Sequence, residues 1–187
     1  MLLSVKDNAV FNSAAVLTTA ELKAHLRVTH ADEDGLIEAY RQAACEWVNA
    51  YCNTRIKSTA VTAKFTGFSA QMELPLGPAV SVSSIKYRNG AGTLSTFDFD
   101  KVQFDLNRQP PLMRFKEIPD TDPHAVAAVE IVYVAGYASV PEAMAQDVRF
   151  LVGHFYENRQ AAEVATVREA PMGVKALLSS YRSISFV

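Results

Sequence analysis

The spacing of apolar side chains changes twice along this chain, and these changes limit the folds that it can adopt. Before residue 55 and after residue 140, apolar residues recur every three or four positions, as in amphipathic helices. From 57 to 137 they form short runs rich in β-branched and aromatic residues, with prolines at the breaks. The chain has 187 residues, a length that suits one domain. It is therefore predicted to be a single domain of the α+β class.

The predicted architecture is a small helical bundle with an antiparallel β-sheet inserted into it. About four helices form the helical core, which covers 17–54 and 141–182. About five or six short strands form the β insertion, which covers 57–137 and lies between the second and third helices. Residues 183–187 are left as a C-terminal tail.

Local signals mark the limits of the first two helices. Thr18 and Glu21 have the spacing of a capping box, and the helix that they begin is expected to run to about Val28. Asp32 is expected to be the N-cap of the second helix, because acidic side chains favour a helix N-terminus. Asn53 is expected to end that helix.

Prolines mark the start of the two later helices. Pro141 is predicted to be the first residue of the third helix, where its missing N–H costs nothing. A short fourth helix is expected after Pro171. The stretch 159–170 has no strong period and is interpreted as a loop or a loosely helical connection. The apolar and aromatic residues of the fourth helix are Val174, Leu177, Leu178 and Tyr181.

Between the helices, three segments are typical of strands. They are Val61–Phe68, Val80–Tyr87 and Val126–Val134. The glycine-rich turn that begins with Asn89-Gly90 indicates a hairpin. Gly136 is expected to close the last strand.

Composition argues against two classes of function. The formal net charge is −2, and the balance holds locally, with eight basic and eight acidic residues within 57–137. Proteins that grip nucleic acid through its phosphates carry a basic excess, so autonomous DNA binding is not expected. No apolar stretch has the length of a membrane span, and the start of the chain lacks the pattern of a signal peptide.

The two cysteines are expected to be free. Cys45 and Cys52 lie seven residues apart in the second predicted helix, so their Cα atoms are about 10 Å apart, too far for a disulfide. Two thiols without a nearby histidine pair also do not make a zinc site. They are interpreted as buried or half-buried thiols of a reducing cytoplasm.

None of the motifs that could carry chemistry is complete. Asp32–Gly35 begins like a calcium loop, but an apolar helix residue stands where the twelfth position needs Glu. Gly90–Gly92 precedes a strand and not a helix, so it is a turn and not a phosphate loop. His154 and Glu157 are three apart, as in ordinary surface pairs, and no third ligand accompanies them. The sequence therefore predicts no catalytic residue, no cofactor and no metal.

Contacts with other proteins are predicted near the C-terminus. Arginine and tyrosine are favoured at protein interfaces, and both occur near the ends of the last two helices. A solvent-facing arginine stacked on a local tyrosine would explain the same pattern equally well. The apolar chain end could pack locally or add as a strand to a neighbouring chain. The candidate interaction residues are Tyr156, Arg159, Val174, Leu177, Leu178, Tyr181, Arg182, Ile184 and Phe186.

Several segments of the chain, taken in order, match the pattern of one known family. The first is Leu17–Val28, which is followed by acidic residues and a long helix. The others are Leu74–Val80, Ser83–Tyr87, Val132–Tyr137 with Val140-Pro141, His154–Arg159, and Pro171–Leu178 before Tyr181-Arg182. Each segment is common by itself, but their joint order from 17 to 182 is fairly specific. Together they resemble the tailed-phage head–tail connector proteins, also called adaptor or head-completion proteins.

This resemblance implies a structural virion protein that is made in the bacterial host cytoplasm and catalyses nothing. Its subunits would form a ring, commonly dodecameric, that docks on the portal. A subunit that is monomeric in solution and assembles only on the portal would also fit this resemblance. The ring would extend the DNA channel, through which DNA passes without specific binding, and would offer a platform to a stopper or tail-completion protein. By this resemblance Pro171–Val187 contacts the portal, whereas the first sixteen residues match nothing in the family.

Two alternatives remain open. The chain could be a neck or tail-completion protein of a phage or gene transfer agent, which would differ in the partner that it binds. It could also be a small soluble ligand-binding module that uses its sheet as a platform. Such a module would need a pocket with convergent titratable groups.

Overall fold

In the computed structural model, the described residues are 1–158 and 172–183. They fall into two compact units. The β unit comprises Met1–Phe11 and Asn53–Ala138, together with Ser183. The helical unit comprises the described residues of Asn12–Cys52 and Ser139–Arg182. Helices and antiparallel sheets are both present, so the predicted α+β class is confirmed.

Within the described residues the helical unit contains four α-helices. They are α1 (Thr19–Leu26), α2 (Asp34–Cys52), α3 (Glu142–Glu157) and α4 (Met172–Leu178). Pro141 is the N-cap of α3 and not its first residue. A helix after Pro171 is confirmed, whereas the predicted connection at 159–170 lies outside the described residues.

The capping box is confirmed, but two predicted helix limits are wrong. Thr18 Oγ1 accepts a hydrogen bond from the Glu21 N–H at 3.2 Å, and the Glu21 carboxylate accepts from the Thr18 N–H at 2.7 Å. The helix ends at Leu26, because Arg27 takes a left-handed conformation with φ of 59°. Asp32 is not the N-cap of α2, which begins only at Asp34 after a turn.

The helical unit has one apolar core and one buried arginine. Arg41 is 6% exposed, and its guanidinium donates to Ser13 Oγ at 3.1 Å, to the Leu17 carbonyl at 3.3 Å and to Thr19 Oγ1 at 3.0 Å. These bonds satisfy a charge that would otherwise be costly to bury, and they hold the segment before α1 against α2. The core side chains that are 1% exposed or less include Leu22, Ile37, Val48, Met144, Val148, Leu151, Val152, Val174 and Leu178.

The described residues of the β unit form eight strands in two antiparallel sheets, so the prediction of one sheet with five or six strands is wrong. The five-stranded sheet has the order β1-β2-β8-β4-β5, and the three-stranded sheet has the order β3-β7-β6. The strands are β1 (Leu2–Asp7), β2 (Thr59–Phe65), β3 (Gln71–Glu73), β4 (Ala79–Arg88), β5 (Leu94–Thr96), β6 (Val102–Asp105), β7 (Leu112–Phe115) and β8 (Val129–Ala135).

Strands β1, β3 and β5 were not predicted from the sequence, and the reasons are physical. β1 lies before α1 and pairs with β2, which follows some fifty residues later in the chain, so no local pattern predicts this strand. Strands β3 and β5 have only three residues each, too few to show alternation. By contrast, the hairpin between β4 and β5 is confirmed, with the Asn89 side chain accepting from the Ala91 and Thr93 N–H groups.

The two sheets of the β unit share one core. Along β8 every second side chain is buried, ending with Tyr133 and Ala135. The Tyr133 hydroxyl accepts from the Leu76 N–H at 3.1 Å and donates to the Leu76 carbonyl at 3.3 Å, so this buried polar group is satisfied. Four further aromatic rings, of Phe68, Tyr87, Phe97 and Phe115, contact one another at 5.0–6.1 Å between centroids.

Gly136 ends β8, as predicted, at a position that tolerates no side chain. Its φ is +105°, and an added Cβ would lie 2.5 Å from the Arg55 carbonyl oxygen and 2.7 Å from that of Lys57. Both contacts are with backbone atoms, which cannot turn away as the end of a side chain could.

We predict that Gly136→Ala lowers the free energy of unfolding by at least about 2 kcal/mol, because it combines a disfavoured φ with a backbone clash. Gly35→Ala is the matched control: it lies in α2 with nothing within 4 Å of its added Cβ, so it should stabilise by up to about 1 kcal/mol. Urea unfolding of both variants measures the two values. Equal stability of the two variants would contradict this account of Gly136.

Candidate interaction surface

The candidate residues of α4 differ in their exposure. Val174 and Leu178 are 1% and 0% exposed, so within this chain their side chains belong to the core, and their part in an interaction stays a prediction. Residues four apart lie on the same helix face, and here that face packs on the helical core. Leu177 lies at the margin of that face and is 45% exposed.

Two contacts with the end of α2 hold α4 in place. The Tyr51 hydroxyl donates to the Lys175 carbonyl at 3.4 Å, and Cys52 Sγ lies 4.0 Å from the Leu178 carbonyl oxygen as a weak donor. Together with the buried Val174 and Leu178, these contacts fix which side of α4 faces outward.

An aromatic–arginine stack lies beside the end of α4. The Trp47 and Tyr51 rings are 5.1 Å apart and 6° from parallel, and the Arg182 guanidinium carbon lies 5.6 Å from the Tyr51 ring centroid. The two rings are half-buried, whereas Arg182 is exposed. We call Trp47, Tyr51, Leu177 and Arg182 the stack surface. Aromatic residues and arginine are the side chains that most often contribute binding energy at interfaces.

Trp47 and Tyr51 are not among the candidate residues that the sequence predicts. Their spacing of four residues is the signal that they share a face. What could not be known from that spacing is the position of Arg182, more than a hundred residues later, over the Tyr51 ring.

The other candidate residues are less exposed or lie outside the described residues. Tyr156 is half-buried, and its hydroxyl donates to the Glu33 carboxylate, which ties α3 to the turn before α2. Tyr181 is half-buried. Arg159, Ile184 and Phe186 lie outside the described residues.

The groups that could carry chemistry are separated or inert. Cys45 and Cys52 are free and buried, and burial raises the pKa of their thiols to about 12 and about 11, so both are protonated at neutral pH. His154 contacts Asn158, whose side-chain nitrogen lies 3.3 Å from the His154 Nδ1. Within 1–158 and 172–183, no three His, Cys, Asp or Glu side chains are placed to share a metal ion.

Asp147 is a buried carboxylate for which the described residues offer no partner. It lies in α3 and is 0% exposed, and neither of its carboxylate oxygens accepts a hydrogen bond from a described residue. Removal from water disfavours the charged form, and burial raises the pKa of Asp147 from its ordinary value of 3.8 to about 6. The helical core therefore carries an uncompensated polar group, which most folded proteins avoid.

Among the described helices, none combines the length and the apolar character that crossing a membrane requires.

Comparison with known families gives one match that covers most of the chain. Residues 15–184 match the family described as head completion protein. Among curated proteins, no sequence matches the chain significantly.

Chains from solved structures of gene transfer agent (GTA) particles have the same fold. A chain from the neck of an empty GTA particle, computed with C6 symmetry, is 22% identical with a TM-score of 0.79. A chain from the virion of a native GTA particle is 22% identical with a TM-score of 0.81. A chain from the neck of a native GTA particle, computed with C12 symmetry, is 23% identical with a TM-score of 0.76. Each match covers 99% of this chain and 98% of the other.

We predict that the free energy of unfolding falls by about 2 kcal/mol between pH 4 and pH 7 because of Asp147. The pKa of Asp147 is about 6 in the folded protein and 3.8 ordinarily, so the folded state keeps its proton to higher pH and loses stability as that proton leaves. Asp147→Asn should therefore gain stability relative to the wild type as the pH rises through this range.

Urea unfolding at several pH values measures the difference between Asp147→Asn and wild type. Glu157→Gln, at an exposed position of the same helix, is the matched control and should show no such trend. A difference between Asp147→Asn and wild type that stays constant with pH would contradict the unpaired, buried state of the carboxylate.

Proposed function

This chain belongs to the head completion protein family, and from that membership we propose that it is a ring-forming head–tail connector of a virion. The membership confirms the resemblance to connector proteins and classes the chain as a structural protein and not an enzyme. In the proposed role, a ring of subunits lies at the head–tail interface, docks on the portal and extends the DNA channel. The opposite side of the ring offers a platform to a stopper or tail-completion protein.

The observation that carries this proposal is the extent of the family match, from residue 15 to residue 184. The similar chains from GTA necks support a ring, because those necks were computed with C6 and C12 symmetry. A dodecamer is consistent with the second of these symmetries. The same chains support a place in the virion, between head and tail.

The charge of the chain supports passage of DNA without tight binding. A lining rich in lysine and arginine would pair with phosphates and hold the DNA in place. The formal net charge is instead −2. The balanced charge suits a channel through which DNA slides.

The stack surface supports a docking site for the portal. Leu177 and Arg182 are exposed while Val174 and Leu178 anchor α4 from inside, so the exposed side chains are presented on a fixed element. A preorganised surface loses little conformational entropy on binding. Arg182 is already oriented by the Tyr51 ring.

A neck or tail-completion protein is the second candidate, and the GTA neck chains favour it as much as they favour a connector. The two candidates differ in the partner that binds first, which is the portal for a connector. Membership of a structural family disfavours the third possibility, a soluble ligand-binding module.

Co-sedimentation with the portal ring of the same genome, followed by electron microscopy, tests the proposal. A connector should add one discrete tier that shares the portal axis, and the symmetry of that tier gives the number of subunits. Absence of binding to an intact portal would favour the neck or tail-completion role instead.

We predict that Arg182→Glu weakens binding to the portal about tenfold or more, because an interfacial arginine is replaced by the opposite charge. Arg182→Lys should be intermediate, since it keeps the charge and loses the planar group that stacks on Tyr51. Deletion of 183–187, the apolar end of the chain, should also weaken docking.

Arg114→Glu, at an exposed position of β7, is the matched control and should bind as the wild type does. Thermal unfolding checks that each variant is folded. Wild-type affinity of a folded Arg182→Glu protein would remove the stack surface from the docking site.

A further inference from the structure

The outward face of the five-stranded sheet carries a groove with unpaired positive charge. Lys64, Glu130 and Lys86 lie side by side in register on β2, β8 and β4, and the groove has a volume of about 520 Å³. Glu130 is paired with Lys64 at 3.4 Å, and Asp122 also lines the groove. Three basic side chains therefore stand against two carboxylates, an excess of one positive charge. Lys86 and Arg88 form no ion pair with a described residue, and the Arg88 guanidinium donates to the Gly92 carbonyl at 3.2 Å.

Exposed apolar side chains accompany this charge. Leu94 lies opposite Arg88 in the β4–β5 pair and is 58% exposed, and Val126, which also lines the groove, is 81% exposed. We call Lys64, Lys86, Arg88, Leu94 and Val126 the basic groove. Apolar side chains flanked by charges are typical of a surface that another protein covers.

The other sheet of the same unit carries the opposite combination at its edge. Phe99 and Phe104 are 38% and 36% exposed, and their rings meet edge to face at 5.6 Å between centroids. Asp98, Asp100 and Asp105 lie beside them and are exposed. We call these five residues the acidic edge.

The acidic edge keeps an excess of negative charge. Its neighbour Lys101 is paired with Glu117 at 2.5 Å, and the Lys116 ammonium donates to the Asp100 backbone carbonyl at 2.7 Å. The three aspartates and Glu117 thus stand against two lysines. Asp100 and Asp105 form no ion pair with a described residue.

A closed ring of identical subunits needs two different surfaces on each subunit, which meet head to tail. We propose that the basic groove of one copy receives the acidic edge of the next copy, so that this contact joins neighbouring subunits in the ring. The inference rests on the proposed ring and names the surfaces that build it. It is carried by the complementary charge and by the exposed apolar side chains of each surface.

The two surfaces are suited to a head-to-tail contact by their position. The basic groove lies on the outward face of one sheet, and the acidic edge includes β6, an edge strand of the other sheet. An edge strand presents backbone groups without a partner, which charged residues protect in the free subunit. Association of the acidic edge with the groove would cover both the Phe99–Phe104 ring pair and the unpaired backbone groups of β6.

Charge reversal of each surface, alone and together, tests the contact. Lys86→Glu with Arg88→Glu reverses the groove, and Asp100→Lys with Asp105→Lys reverses the edge. Each double variant should weaken ring formation about tenfold or more, because like charges then face each other. The protein that carries all four changes should form rings again, since its two surfaces are complementary once more.

Ring formation is measured by analytical ultracentrifugation and electron microscopy, with the free protein and on the portal ring. Lys6→Glu is the matched control, because Lys6 is exposed on β1, three strands away from β4 in the same sheet. Because Lys86 lies opposite Glu130, Lys86→Glu places two carboxylates side by side within one subunit. Lys86→Gln with Arg88→Gln is therefore a second groove variant, which removes the positive charge without adding this repulsion. Circular dichroism and thermal unfolding check the fold of each variant.

Three outcomes are distinguishable. Loss of rings in both double variants and their return in the fourfold variant support the contact. Wild-type rings in both folded double variants overturn the contact and leave the proposed ring in place. Absence of rings for the wild type itself, both free and on the portal, overturns the proposed function and the contact with it.

Discussion

Hydrogen bonding on both edges of β8 is the constraint on which the β unit depends. β8 pairs with β2 on one side and with β4 on the other, over seven residues with β2. Because successive side chains of a strand point to opposite faces, this pairing sends Ile131 and Tyr133 into the shared core and Glu130 and Val132 outward. On the outward face, Glu130 lies in register between Lys64 and Lys86, and these three residues line the groove. The same register therefore builds the core and displays the charges.

The helical unit shows how differently two buried polar groups can be accommodated. Arg41 is surrounded by three acceptors from the segment that precedes α2, so its burial adds specific bonds to that packing. Asp147 has no such partners among the described residues, and its burial costs stability as the pH rises from its ordinary pKa of 3.8 through its raised pKa of about 6. The packing of α3 against α2 and α4 thus rests on apolar contacts, and the carboxylate is tolerated within them.

The surfaces of the described residues fit a protein that works by contact. The thiols are buried and protonated, and the titratable groups are dispersed, whereas aromatic and apolar side chains are exposed beside charges at three places: the stack surface, the basic groove and the acidic edge. Such surfaces are consistent with membership of the head completion family, because a structural virion protein works through contacts with other chains. The stack surface is proposed to bind the portal, and the basic groove and the acidic edge are proposed to bind neighbouring copies.

Local chemistry was sufficient to predict the helix that Thr18 and Glu21 begin, the hairpin at Asn89-Gly90, the stop at Gly136 and the α+β class, because each depends on residues close together in the chain. Features that depend on distant residues were missed or wrong. They include the pairing of β1 with β2, the division into two sheets, the burial of Val174 and Leu178, and the stacking of Arg182 on Tyr51. A spacing of four residues places two side chains on one face of a helix. Only the packing of the other helices decides whether that face meets the core or a partner.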